Sequence, residues 1–287
     1  MKRDMKQWLA EWKASPVKKA FPVLSFPAVQ LMGISVKELI ADASAQARGM
    51  KLVAQRTDRA ATVSLMDLSV EAECFGAEIR VSEDEVPTVV GSVVSTEEEA
   101  EALEIPPIGS GRTGIYIDAI RQAVKEITDR PVFAGVIGPY SLAGILSPAL
   151  EEEFSEPYVR ELVEAVQDDS FAVIYHNCGG GVSMMASSIA STGAAAFHFG
   201  NAVDMEEMLE KMPKDRIAMG NIDPAGQFRN GTPESIREET LALMERCCKY
   251  DNFVISSGCD IPPMSKWENI DAFFDAAAEF YGAGREA

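Results

Sequence analysis

His176, Cys178 and Cys259 are the residues of this chain whose types and spacing point most directly to chemistry. His176 and Cys178 are two positions apart at the end of an apolar run that starts at Phe171. Cys259 ends a second such run, which starts at Phe253. Both runs are short and rich in β-branched residues, the pattern of buried strands. On an extended segment, residues i and i+2 face the same way, so His176 and Cys178 can reach a common point. A parallel α/β fold gathers the carboxyl ends of its strands at one rim, which adds Cys259. One imidazole and two thiols are the protein share of an open, catalytic zinc site. The plainer reading is a hydrogen-bonded rim histidine and two small buried cysteines. The residues alone leave both open.

Other strand ends are also polar: Ser25, Asp67, Tyr140, His198, Asn201, Asn221, Asp223 and Asp260. This is where parallel α/β folds place their chemistry. His198 is a candidate substrate contact, with a satisfied rim histidine as the alternative. Gly179–Gly181 before a helix could cradle an anion, but no Lys-Ser/Thr follows, so a P-loop is excluded. Cys247 and Cys248 sit within a helix, where packing is the simplest role, and Cys74 reads as helix packing too.

The elements that must position these residues can be read from periodicity. An amphipathic N-terminal helix over about 3–13 carries Met5, Trp8, Leu9 and Trp12 on one face. Phe21–Pro27 reads as a first strand and 35–56 as a helix capped by Ser35. Ala61–Asp67 is a second strand. About 68–110 is an irregular insertion, with a helical turn at Val70–Phe75, an extended piece near Ile79–Val81 and a short helix opened by Ser95 and Thr96. From Thr113 helices and strands alternate. Helices over 113–128, 148–168, 181–191, 204–212 and 232–249 lead to strands beginning at Val132, Phe171, Ala194, Ile217 and Phe253. A last helix covers 266–281. The pattern has seven strands and no hairpin signal in its second half, which predicts right-handed βαβ units, a parallel sheet and a single domain over 1–287.

The 287 residues carry a formal net charge of -19, from 45 acidic and 26 basic side chains. That balance argues against nucleic acid or an anionic membrane as partner. No apolar run approaches the ~18–20 residues of a spanning helix. The charged N-terminus does not read as a signal peptide. Five irregularly spaced cysteines fit a reducing cytoplasm better than a disulfide framework.

Six segments, Met66–Glu78, Gly138–Ala143, Leu146–Pro148, His176–Gly179, Gly220–Pro224 and Ser257–Pro262, resemble the uroporphyrinogen decarboxylase superfamily in type and order. Within it, the His-x-Cys pair with a distant Cys is similar to the zinc-dependent methylcobamide:coenzyme M methyltransferase branch. The arginine-rich N-terminal signature of the decarboxylases is absent. The resemblance implies a TIM-type (β/α) barrel, with zinc on His176, Cys178 and Cys259. It implies methyl transfer from methylcobalamin on a corrinoid protein to a small thiol such as coenzyme M. It makes Asp67, Glu71 and Asp223 catalytic candidates, with Glu73 an alternative, and His198, Asn221 and Tyr140 substrate-binding candidates. Arg112, Arg229 or Lys266 would hold an anionic tail on the acceptor. Two rivals follow from the same resemblance: a metal-free decarboxylase using Asp67 or Asp223 on pyrrole N–H groups, and a non-catalytic corrinoid-binding relative. One departure stands out. Gly144 runs directly into Ile145–Pro148, where the family has a further strand and helix, so a fourth unit of about 30 residues or more is missing. A barrel that is gapped or rearranged at that point is expected.

Overall fold

A computed structural model describes residues 2–139, 141–142 and 156–283. Tyr140 and the segment after Gly144 lie outside the described residues. The strands are β1 (Thr62–Val63), β2 (Glu78–Arg80), β3 (Thr88–Val90), β4 (Val132–Phe133), β5 (Ile174–Asn177), β6 (Ala196–Phe199), β7 (Ile217–Ile222) and β8 (Phe253–Ser257). Parallel pairing joins β5-β6-β7-β8 into one sheet and β1-β4 into another.

Residues 20–25 bridge the two sheets. Phe21 N–H donates to Ile255 O at 3.1 Å, and Ala60 N–H donates to Ala20 O at 3.0 Å. This is the predicted first strand, and it runs extended without forming a regular ladder. Pro22 has no N–H to give, and the Val23 N–H goes to the Ser257 hydroxyl at 3.0 Å rather than to a carbonyl. The order round the arc is therefore β4, β1, 20–25, β8, β7, β6, β5. Among the described residues no ladder joins β5 to β4, so the barrel is incomplete where the fourth unit is missing.

Side chains alternate across the sheet as a pleat requires. Ala196, Ile217, Met219 and Val254 face the interior and pack with Phe21, Val23 and Val63. Phe197, Phe199, Ala218, Phe253 and Ile255 face outward and pack under the helices. The N-terminal helix, Met5–Ala14, closes the floor. Trp12 meets Phe21 edge-on at 5.9 Å between ring centroids, and Trp8 packs on Trp12 at 4.8 Å. Its predicted apolar face is the one that docks.

Three local readings change. The helix predicted over 35–56 is two, Val36–Ala41 and Ala43–Arg56, because Asp42 turns extended and its carboxylate caps Ala45 N–H. The extended piece near Ile79 finds an antiparallel partner, β3, which sequence pattern missed. A π-helical turn at Pro224–Arg229 follows β7, nucleated by Asp223 accepting from Ala225 and Gly226 N–H. No helix of the described residues is long and apolar enough to cross a membrane.

Candidate metal centre

The parallel register places His176 beside His198 at the carboxyl end of the four-stranded sheet. Cys178 lies one residue beyond β5, and Cys259 two residues beyond β8. The three ligand atoms of His176, Cys178 and Cys259 lie within 4.8 Å of one another, and among the described residues no other group of three or more His, Cys, Asp and Glu comes together this way. His176 Nε2 and Cys259 Sγ are 3.5 Å apart. Tetrahedral zinc with bonds of 2.0–2.3 Å separates its ligands by roughly 3.3–3.8 Å. The donor set therefore fits the ion with little movement. Cys178 is exposed and the other two are half-buried, so one side stays open for a fourth ligand.

Two glycines allow this approach. A Cβ on Gly200, just past β6, would sit 2.5 Å from the Cys178 Cα. A Cβ on Gly258 would sit 2.6 Å from Asn201 N. Any side chain at either position would push apart the loops that carry the ligands. Asn221 secures the same region: its Nδ2 donates to Gly200 O and Val203 O, both at 2.9 Å. Its amide is thus directed at backbone, in a buried position.

The thiols bias one another. The Cys178 thiol is held well below the usual cysteine range, first by its hydrogen bond with Cys259 and then by the adjacent His176. Cys259 is pushed up as the donor in that pair and by burial. Of the two thiols, Cys178 is thus the one biased toward the thiolate that a soft metal ligand supplies.

Behind His176 lies His198, 2% exposed. His176 Nδ1 and His198 Nδ1 are 2.6 Å apart. His198 Nε2 is 2.7 Å from Ser256 Oγ, which donates to Phe21 O at 2.7 Å. Burial, and then the neighbouring His176, hold the His198 pKa well down. Sequence reasoning placed His198 at the rim as a substrate contact; the structure puts it beneath His176 with both ring nitrogens engaged. Ser256 went unnoticed in sequence. The signal was there, because a serine two residues after Val254 faces the interior like Val254 itself.

The acidic candidates form a second cluster. Asp67 accepts four hydrogen bonds: from Ser69 N–H and Oγ on one oxygen, and from Arg112 Nη1 at 2.6 Å and Tyr116 OH at 2.7 Å on the other. A carboxylate has about four acceptor sites, so Asp67 has none left. Glu73 also pairs with Arg112. Glu71 accepts from Ile137 N–H at 3.4 Å, and burial raises its pKa. Asp260, half-buried next to Cys259, has its pKa pushed well up by desolvation. None of Asp67, Glu71 or Glu73 joins the three metal-ligand residues. Asp223 is drawn into the helical turn it caps.

Of the three basic residues considered for an anionic tail, Arg112 is bound to Asp67 and Glu73, and Arg229 is paired with Glu85. Lys266 is exposed. Cys247 is buried in its helix with its pKa pushed up to about 12 by burial, and Cys248 is half-buried, as packing roles require. Cys74 donates to Ser110 O at 3.0 Å.

Comparison with known proteins follows this geometry. The chain is 22% identical over 270 residues to the methylcobamide:CoM methyltransferase MtbA of Methanosarcina acetivorans, covering 75% of this chain and 78% of that protein. It is 30% identical over 139 residues to the uroporphyrinogen decarboxylase of Prochlorococcus marinus, covering 47% of this chain and 38% of that protein. A solved methyltransferase from Methanosarcina mazei superposes with a TM-score of 0.75 at 22% identity, over 98% of this chain and 99% of that one, and so shares the fold. The uroporphyrinogen decarboxylase (URO-D) family matches residues 18–146 and 141–280, two pieces that meet at the point of the missing unit. The chain belongs to the uroporphyrinogen decarboxylase (URO-D) family.

Proposed function

We propose that the protein is a zinc-dependent methyltransferase that moves a methyl group from a methylated corrinoid protein to a small thiol, coenzyme M being the acceptor named for its Methanosarcina relatives. The observation that carries the reading is the cluster of one imidazole and two thiols at the sheet rim, open on one side. Zinc bound there supplies Lewis acidity that deprotonates an acceptor thiol near neutral pH and keeps its sulfur nucleophilic. His176, Cys178 and Cys259 would hold the ion. In the transfer an S–C bond forms, the Co–C bond breaks and its electron pair stays on cobalt.

The chain's other residues act by positioning. Gly200 and Gly258 keep the ligand loops close. Asp67 clamps Arg112 and Tyr116 on the neighbouring rim, and Glu71 and Asp223 shape the loops after β1 and β7. Leu68 and Val136 stand exposed after β1 and β4, and Met184 on the 3-10 turn after β5, and an apolar rim of this kind suits the face of a corrin ring. The decarboxylase alternative needs a carboxylate free to receive pyrrole N–H groups. Asp67 is saturated and Asp223 caps a helical turn, so the geometry favours the methyltransferase. All three ligands come from the four-stranded half of the sheet, so the incomplete barrel retains the full donor set.

Metal analysis tests the reading. The purified protein should take up about one zinc per chain, and Cys178→Ala together with Cys259→Ala should abolish uptake. A protein that takes up no zinc, or whose zinc survives the double substitution, would overturn it.

A further inference from the structure

The buried line Phe21 O, Ser256, His198, His176 fixes more than the position of a ring. Each link allows only one direction. Phe21 O is a carbonyl and only accepts, so the Ser256 hydroxyl donates to it at 2.7 Å. That uses the single Ser256 proton. The 2.7 Å contact from His198 Nε2 to Ser256 Oγ must therefore run the other way, with Nε2–H donating. His198 is enclosed, and its side-chain partners are a hydroxyl and an imidazole with no carboxylate between them. A buried cation without a counter-charge is strongly disfavoured, so His198 is neutral and its Nδ1 is bare. At 2.6 Å, His176 Nδ1 must then donate to it. A neutral His176 protonated on Nδ1 has its lone pair on Nε2, the nitrogen 3.5 Å from Cys259 Sγ.

We infer that Ser256 and His198 are positioning residues that lock His176 in the Nδ1–H tautomer and so present Nε2 as the metal ligand. The functional meaning rests on the zinc reading above; the tautomer itself does not. Histidine ligands commonly direct their second nitrogen to a carboxylate or a carbonyl. Here the acceptor is a neutral imidazole, backed by a hydroxyl that is anchored on the bridging segment between the two sheets. The lock sets ring orientation and tautomer while adding no negative charge behind a site that already carries two thiols. It also ties the ligand on β5 to β8 and to residues 20–25, across the full width of the half-barrel.

The chain has only two histidines, so nitrogen-15 histidine labelling gives two ring systems, and His198→Gln assigns them. In metal-free protein, long-range proton–nitrogen spectra should show His176 protonated on Nδ1 and His198 on Nε2. A His176 ring protonated on Nε2 overturns the lock. Zinc affinity, measured against a chromophoric chelator, gives the second readout. His198→Phe keeps the ring volume but removes the acceptor, and should weaken zinc 10- to 100-fold, roughly the range for lost outer-shell partners. Ser256→Ala should weaken it about 10-fold. His198→Gln, whose amide oxygen can accept from Nδ1–H, should recover most of the affinity lost in His198→Phe. Wild-type affinity in His198→Phe, with the fold intact by circular dichroism, also overturns the lock. If the metal-free tautomers are as expected but wild-type protein binds no zinc, the lock stands and the methyltransferase reading falls.

Discussion

The two strands that deliver His176, Cys178 and Cys259 are built alike and supported differently. β8 pairs with β7 along its whole length and touches residues 20–25 on its other side, and every residue in it is buried. Among the described residues β5 pairs with β6 alone, and all four of its residues are only half-buried. The missing fourth unit is what removes the second flank of β5. Cys259 thus extends from a fully enclosed strand, whereas His176 and Cys178 stand on an edge. What steadies the edge is local: the imidazole contact from His198 and the close seat of Gly200 against Cys178. His176 and Cys178 keep their places on this edge because β6 holds β5 both by its ladder and by the His198 contact.

Substitutions in the two strands should separate them. Phe253→Ala, in the enclosed strand, should cost about 3–5 kcal/mol. Ile174→Ala, on the half-buried edge, should cost about 1 kcal/mol, since much less apolar area leaves water there. Urea titrations measure both, and equal costs would break the comparison. Gly200→Ala comes next. It should cost about 1–3 kcal/mol through overpacking while moving Cys178, so zinc affinity should fall more than stability does. Affinity unchanged by this substitution would mean that Gly200 does not seat the ligand. Hydrogen exchange gives a probe without mutation: amides of β5 should exchange at least about 10-fold faster than those of β8, as expected of a strand with one flank.

The smallest effect concerns the end of β8. Asp260 is half-buried with its pKa raised by desolvation. A raised carboxyl binds its proton more tightly folded than unfolded, so stability is greatest below the unfolded value of about 3.9 and declines as pH rises above it. Asp260→Asn should therefore be more stable than wild type at pH 7, with the gap closing toward pH 4. A gap that widens on acidification would show that Asp260 is ionised in the fold.

The parts of this molecule that were legible from sequence are those set by local pattern. Alternating helices and strands specify the parallel sheet, and the direct run from Gly144 into Ile145 marks the missing unit. His176, Cys178 and Cys259 were legible because strand period and ligand type coincide. What stayed hidden depends on pairing across the sheet. The roles of His198 and Ser256 follow from the registers of β5 on β6 and of β7 on β8, and no single strand carries that information. Asp67 invited a catalytic role as a lone carboxylate at a strand end. The donors that fill its second oxygen, Arg112 and Tyr116, lie more than forty residues away in the chain. The break at Asp42 was missed because its helix periodicity continues through the residue that caps the second helix.

The central claim is that the imidazole and two thiols at the rim activate a thiol for methylation. The most direct test is loss of methyl from free methylcobalamin, followed by its absorbance, with coenzyme M as acceptor. Zinc-loaded protein should demethylate methylcobalamin only when the thiol is present. The same protein stripped by a chelator, and the Cys178→Ala/Cys259→Ala variant, should be inactive. Equal turnover by the loaded protein and the double variant, or none by the loaded protein, would contradict the account.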